Sequence, residues 1–258
     1  MPTELLDPIP LSVLAVGTMV LALLALEVGF RLGCWRRVHS GGEHEALGGV
    51  VGATLGLLAF LLAFTFGMAA SRFEDRRQVL LEEANLIGDS FLRADLIGEP
   101  HRSAVRRLLK EYVDVRLEAT QAGDLAHAVQ RSEALHQELW SHVVALGTSD
   151  PSSEMKALFV ESINAVISTH TKRLTVARTR IPSTIWLALY AMTIVAMSTV
   201  GYQFGVSGPR RSPAMPALAL TFSMVIALIA DLDRPLQGLL RVSQQAMVDL
   251  QRTMATSP

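Results

Sequence analysis

The chain is predicted to be an all-α integral membrane protein, with four transmembrane helices and a helical domain between the second and third. Three observations carry this reading. Four apolar runs, roughly 9–32, 47–70, 182–206 and 214–232, interrupt the sequence. Each comes close to the ~20 residues an α-helix needs to cross a hydrocarbon core. Each nearly lacks internal charge, as expected where a charge at the bilayer centre is costly. The stretch 71–181 is charged and holds no spanning run. The expected layout is a hairpin of helices over 8–70, a cytoplasmic helical domain over 71–181, a second hairpin over 182–232, and a C-terminal cytoplasmic helix over 233–258.

Composition agrees with that layout. Half of the residues are apolar and mean hydropathy is +0.34, yet 18% are charged, so charge must be segregated. A formal net charge of −1 gives no footprint for a nucleic-acid partner. The single Cys34 excludes an intrachain disulfide and leaves the redox compartment open. The N-terminus carries no positive n-region, and the first apolar run is too long for a signal-peptide core. It reads as a retained helix.

The second apolar run continues through Arg72, Arg76, Arg77 and Glu82 without Pro or Gly until Gly88, so its helix is expected to extend to about Gly98. Pro100 marks a break. Val105, Leu108, Leu109, Tyr112 and Val113 then follow helical spacing. Gly123 fits a C-cap and Asp124 an N-cap. Val129, Leu135, Leu139, Val143 and Leu146 define the next helix. Asp150-Pro151 restarts the chain. A near-heptad stripe follows, with Met155, Leu158, Phe159, Ser162, Ile163, Val166, Ile167, His170 and Leu174. This helix is expected to lead straight into the third span near Pro182. Sustained period-two alternation and Asn-Gly hairpins are absent, so no strand is predicted. Trp35, Trp186 and Tyr202 sit near helix ends, where interfacial anchors belong.

Basic residues near helix ends set orientation. Arg72, Arg76, Arg77, Lys172, Arg173, Arg178, Arg180, Arg234 and Arg241 fall on one side; Arg31, Arg36, Arg37, Arg210 and Arg211 fall on the other. The excess places both termini and the inserted domain in the cytoplasm. Glu4 and Asp7, with no basic neighbour, argue the other way.

Three segments could carry function. Gly48, Gly52 and Gly56 recur every four residues, and Phe60, Phe64 and Met68 continue that face. Stacked Phe rings in an oligomer would narrow a central passage, with Gly56, Phe60, Phe64 and Met68 as pore or gate residues. The bland alternative is helix packing within one subunit. Glu82, Glu83 and Asn85 form a candidate polar site; the paired carboxylates could bind a cation or meet Arg side chains of a neighbouring helix, with a solvated charged face as the ordinary reading. Asp231, Asp233 and Arg234 mark a defined turn. They could cap a following helix, pair with a basic residue of the neck, or bind a cation.

Catalysis finds no support. The seven His are scattered, without HExxH or another close metal spacing; His39 and His44 flank Glu43 only loosely. No metal site and no cofactor are expected. His170 falls within an apolar stripe and reads as a packed core residue.

The stretch from Gly56 through Phe60, Phe64, Met68 and Arg72–Arg77 to Glu82, Asn85, Gly88 and Asp95 resembles the bacterial bestrophin-like membrane family. The tail Asp231-Leu-Asp-Arg-Pro235, with Gly238, Arg241 and Gln245, resembles that family's second hallmark. The likeness spans most of the chain. It implies a more distant similarity to bestrophins, which are pentameric anion channels with four spans, cytoplasmic termini and a second helix lining a hydrophobic neck. The resemblance therefore implies a homo-oligomer in the bacterial inner membrane that passes small ions, anions by analogy. Arg72, Arg76 and Arg77, as rings past the neck, would attract anions. The acidic calcium-binding cluster of bestrophins is not matched, since only Asp231 and Asp233 stand here, so calcium gating is not implied. The alternative is a non-conducting signalling or scaffold protein whose cytoplasmic helices bind a partner.

Overall fold

The computed structural model describes residues 9–39, 48–122, 125–149, 154–208, 212–234 and 238–256. Among these every regular element is helical: α1 (Leu11–His39), α2 (Gly48–Arg93), a 3-10 turn (Ala94–Leu96), α3 (His101–Ala122), α4 (Leu125–Ser149), α5 (Glu154–Arg178), α6 (Ser183–Ser207), α7 (Ala214–Asp233) and α8 (Gln245–Thr256). The predicted all-α class holds. Four helical segments are long and apolar enough to cross a membrane. The chain divides into two compact units, one from 1–73 with 180–241, the other from 74–179 with 242–258.

In the first unit α1 packs along α6 and α7. Its core gathers Leu14, Leu26, Leu58, Leu62, Leu189, Met197 and Ile226. Glycine makes the α1–α6 approach feasible. A Cβ added at Gly29 would collide with the Ser198 backbone, and one at Gly201 with that of Leu26. Gly33 and Gly205 repeat the arrangement one turn on, against Tyr202 and Phe30. Both helices thus carry a small-xxx-small pair, the sequence device for close helix contact in lipid. Hydroxyls add cross-links: Thr18 Oγ1 lies 3.0 Å from Tyr190 Oη, and Thr54 Oγ1 lies 3.1 Å from Thr199 Oγ1.

The second unit is a bundle of the last part of α2 with α3, α4, α5 and α8. The predicted α3 stripe, Val105, Leu108, Leu109, Tyr112 and Val113, is wholly buried. It meets Ile87, Phe91, Leu135, Leu139, Phe159, Ile163, Val166 and Met247.

Several expectations need correction. α2 ends at Arg93, and one 3-10 turn replaces the helix expected to reach Gly98. α5 does not run straight into α6: residues 179–182 are non-helical. Pro182 disfavours helical geometry at Ile181, and the Ile181 N–H donates instead to Asp233 Oδ1 at 3.1 Å. Met155 and Leu158, counted in the α5 stripe, are exposed. Asp231 and Asp233 end α7, and the next helix among the described residues starts at Gln245. Gly123, Asp124, Asp150, Pro151, His44, Arg210, Arg211 and Pro235 lie outside the described residues.

Candidate functional site

One face of α2 packs inward. Val51, Leu58, Leu62, Thr65 and Ala69 are buried, at spacings that keep one side of a helix facing the core. Phe60 and Phe64 each follow a buried leucine by two residues, about 200° around the helix. They therefore point the other way, at 66% and 59% exposure. Gly52 and Gly56 share that outer face, and a Cβ at either would meet nothing within 4 Å. Among the described residues this ridge is left exposed. Met68 is half-buried.

Arg72 follows on the same helix. Its Nη1 lies 3.7 Å from Asp233 Oδ1. Arg180 donates to the Asp233 carbonyl. Arg234 is buried. Asp231 accepts two backbone N–H bonds, from Leu239 at 2.8 Å and Leu240 at 3.0 Å. Gly238 is needed there, because a Cβ would strike the Asp231 carboxylate. Asp231 thus holds Leu239 and Leu240 at the α7 end, and Asp233 ties that end to Arg72 and Ile181. Among the described residues no group of three or more His, Cys, Asp or Glu could hold a metal ion.

In the second unit, Arg76 is buried, while Arg77 is exposed and 3.4 Å from Glu74. The candidate polar triplet separates. Glu82 is exposed and bonded to Lys172 Nζ at 2.6 Å, and Asn85 is exposed. Glu83 is fully buried. It accepts from Tyr112 Oη at 2.6 Å and faces Arg116 Nε at 3.4 Å and Arg173 Nε at 3.5 Å. His170 Nδ1 lies 3.2 Å from both Tyr112 Oη and Arg173 Nη2. The His136 ring stands edge-on to His170, with centroids 4.8 Å apart. Burial, then the Glu83 charge, hold the Tyr112 phenol well above its ordinary range. Burial, then His170, push His136 down to about 4. Burial lowers His170 as well. Sequence reasoning allowed Arg partners from a neighbouring helix but did not identify Arg116 and Arg173, and it missed Tyr112 and His136 around Glu83. The available signal was a Tyr, two Arg and a His at helix positions beside apolar residues.

Four apolar spans and a polar helical bundle define a multi-pass membrane protein. The chain matches the family model described as Bestrophin-like domain over residues 16–247, and so belongs to the bestrophin-like family. No curated protein gives a significant match. Solved structures do. A crystal structure of a single-substitution variant of a bacterial bestrophin homologue from Klebsiella pneumoniae is 14% identical, with a TM-score of 0.68 over 94% of this chain and 99% of that one. Another structure of a bacterial bestrophin homologue from Klebsiella pneumoniae, phased on zinc, is 13% identical, with a TM-score of 0.67 over 95% and 98%. At that identity the likeness is one of fold.

Proposed function

We propose that the protein is an oligomeric, channel-like membrane protein that passes small ions, anions first, through a pore lined by α2. By family resemblance the oligomer is a pentamer. The carrying observation is the outer face of α2: exposed Phe60 and Phe64 in line with Gly52 and Gly56, whose flanks are empty. In a ring of subunits, glycines allow close backbone approach, and the Phe rings form apolar collars that gate by dewetting. Arg72, Arg76 and Arg77 are the candidates for drawing anions in. The acids set against Arg72 and Arg77 offset part of their field, so anion preference rests on the family likeness. The membrane is the bacterial inner membrane, with the termini and residues 71–181 in the cytoplasm, as the basic-residue bias supports.

Planar-bilayer recording of purified protein under a salt gradient tests this reading. A conductance whose reversal potential moves toward the chloride equilibrium value supports it. No conductance, together with a monomer by mass photometry, would sink it.

One observation favours a second reading, that of a scaffold. Trp140, Val144, Met155 and Leu158 are exposed apolar residues of the bundle. A pull-down with the full chain that recovers a partner, and loses it on Met155→Glu/Leu158→Glu, would support that role.

A further inference from the structure

The core around Glu83 does more than fill space. Four helices packed there bring titratable or charged groups: Glu83 from α2, Tyr112 and Arg116 from α3, His136 and Glu133 from α4, His170 and Arg173 from α5. α8 adds Met247 and Met254 to the same core. With both imidazoles neutral, the fully buried carboxylate already faces two guanidiniums. Any further positive charge there lacks a compensating buried acid, because Glu133 is exposed.

Geometry makes protonation awkward at both rings. Arg173 Nη2 lies 3.2 Å from His170 Nδ1, and a guanidinium can only donate. His170 Nδ1 therefore accepts, and a proton there would set donor against donor. The Nε2 atoms of His136 and His170 are buried, with no hydrogen-bond partner among the described residues. At His136 a charged ring with N–H at Nε2 would hold an unsatisfied buried donor; the neutral His170 ring already carries its N–H at Nε2, so its second proton must go to Nδ1, facing Arg173. His136 is held by ring contacts instead, 4.8 Å from both Tyr112 and His170.

We propose that the Glu83–Tyr112–His170–His136 core is an acid-sensitive element, and that imidazole protonation opens the helical bundle. The pKa directions agree. His136 is pushed down to about 4, and His170 is lowered. The unfolded value is about 6.5. Below that value the open chain binds more protons than the closed one. Stability is full above about pH 6.5 and falls as pH drops toward 4.

Thermal unfolding of the full-length detergent-solubilised protein, from about pH 8 down to about pH 5, tests this. His136→Phe keeps the ring contacts and removes one of the two titrating groups of this core. Wild type should lose thermal stability below pH 6.5, and His136→Phe should lose less, since one proton fewer is taken up. Parallel profiles would overturn the proposal. If the variant is already misassembled at pH 8, the wild-type imidazole resonances, from selectively labelled protein, decide. Assigned His136 and His170 resonances that both titrate below the ordinary histidine value support the proposal; titration of either at the ordinary value of about 6.5 overturns it. Neither readout requires conduction, so this proposal and the channel reading can fail separately.

Discussion

The Arg72 guanidinium stands 3.7 Å from the Asp233 carboxylate, joining α2 to the last residue of α7. The same carboxylate oxygen receives the Ile181 N–H just before α6 begins. One acid therefore pins three helices. Asp233→Asn keeps an acceptor but removes the charge, and should cost about 1–3 kcal/mol. An Arg72→Ala/Asp233→Ala double-mutant cycle in thermal unfolding should return a coupling of roughly 0.5–3 kcal/mol. A coupling near zero would mark the pair as incidental.

Two sets of glycines should respond in opposite ways. Gly201→Ala drives a methyl into the Leu26 backbone and should destabilise the chain by about 1–3 kcal/mol, as overpacking does. Gly52→Ala meets nothing within 4 Å. The single chain should tolerate it, with a gain of up to about 1 kcal/mol from helix propensity. Loss of the oligomer by mass photometry with Gly52→Ala, at unchanged secondary structure, would place that face at a subunit contact.

The buried carboxylate gives a graded pair of effects. Tyr112→Phe removes the 2.6 Å donor to Glu83 and should cost about 1.5–3 kcal/mol, the range for a hydrogen bond to a charged group. Glu83→Gln strips the charge facing both Arg116 and Arg173 and should cost more, about 3–5 kcal/mol. Chemical or thermal denaturation in detergent ranks them. The reverse order would mean that the arginines do not depend on Glu83.

The sequence was legible where periodicity decides structure. The α3 stripe from Val105 to Val113 is core residue for residue, because burial of one helix face leaves a 3.6-residue signature. The four spans were legible for a related reason: an apolar run must match the hydrocarbon thickness. Contacts distant in sequence were not. Glu83 resembles a solvated acid until Tyr112, Arg116 and Arg173 are brought around it by three helices. Asp231 resembles a cap or cation ligand, yet its partners are backbone N–H groups eight and nine residues on, which no side-chain pattern records. The Gly29/Gly33 and Gly201/Gly205 pairs carried a readable signal. The stronger Gly48–Gly52–Gly56 series drew the packing reading away from them. In the chain, that series leaves Gly52 and Gly56 open.

The proposed cytoplasmic placement of residues 71–181 rests on basic-residue bias and is directly testable. A cysteine placed near Gly123 in a Cys34-free background should resist a membrane-impermeant thiol reagent in intact cells and react after lysis. Ready labelling in intact cells would invert the topology.

The proposed gate is built from the exposed Phe60 and Phe64. Replacing both with Ala, with bilayer recording and mass photometry on the same preparation, tests it most directly. A pore gated by these rings should widen and wet, so the variant should assemble as wild type does and show raised basal conductance. A silent variant that assembles poorly, or one that assembles with unchanged conductance, would contradict the gate and return both residues to packing or lipid contact.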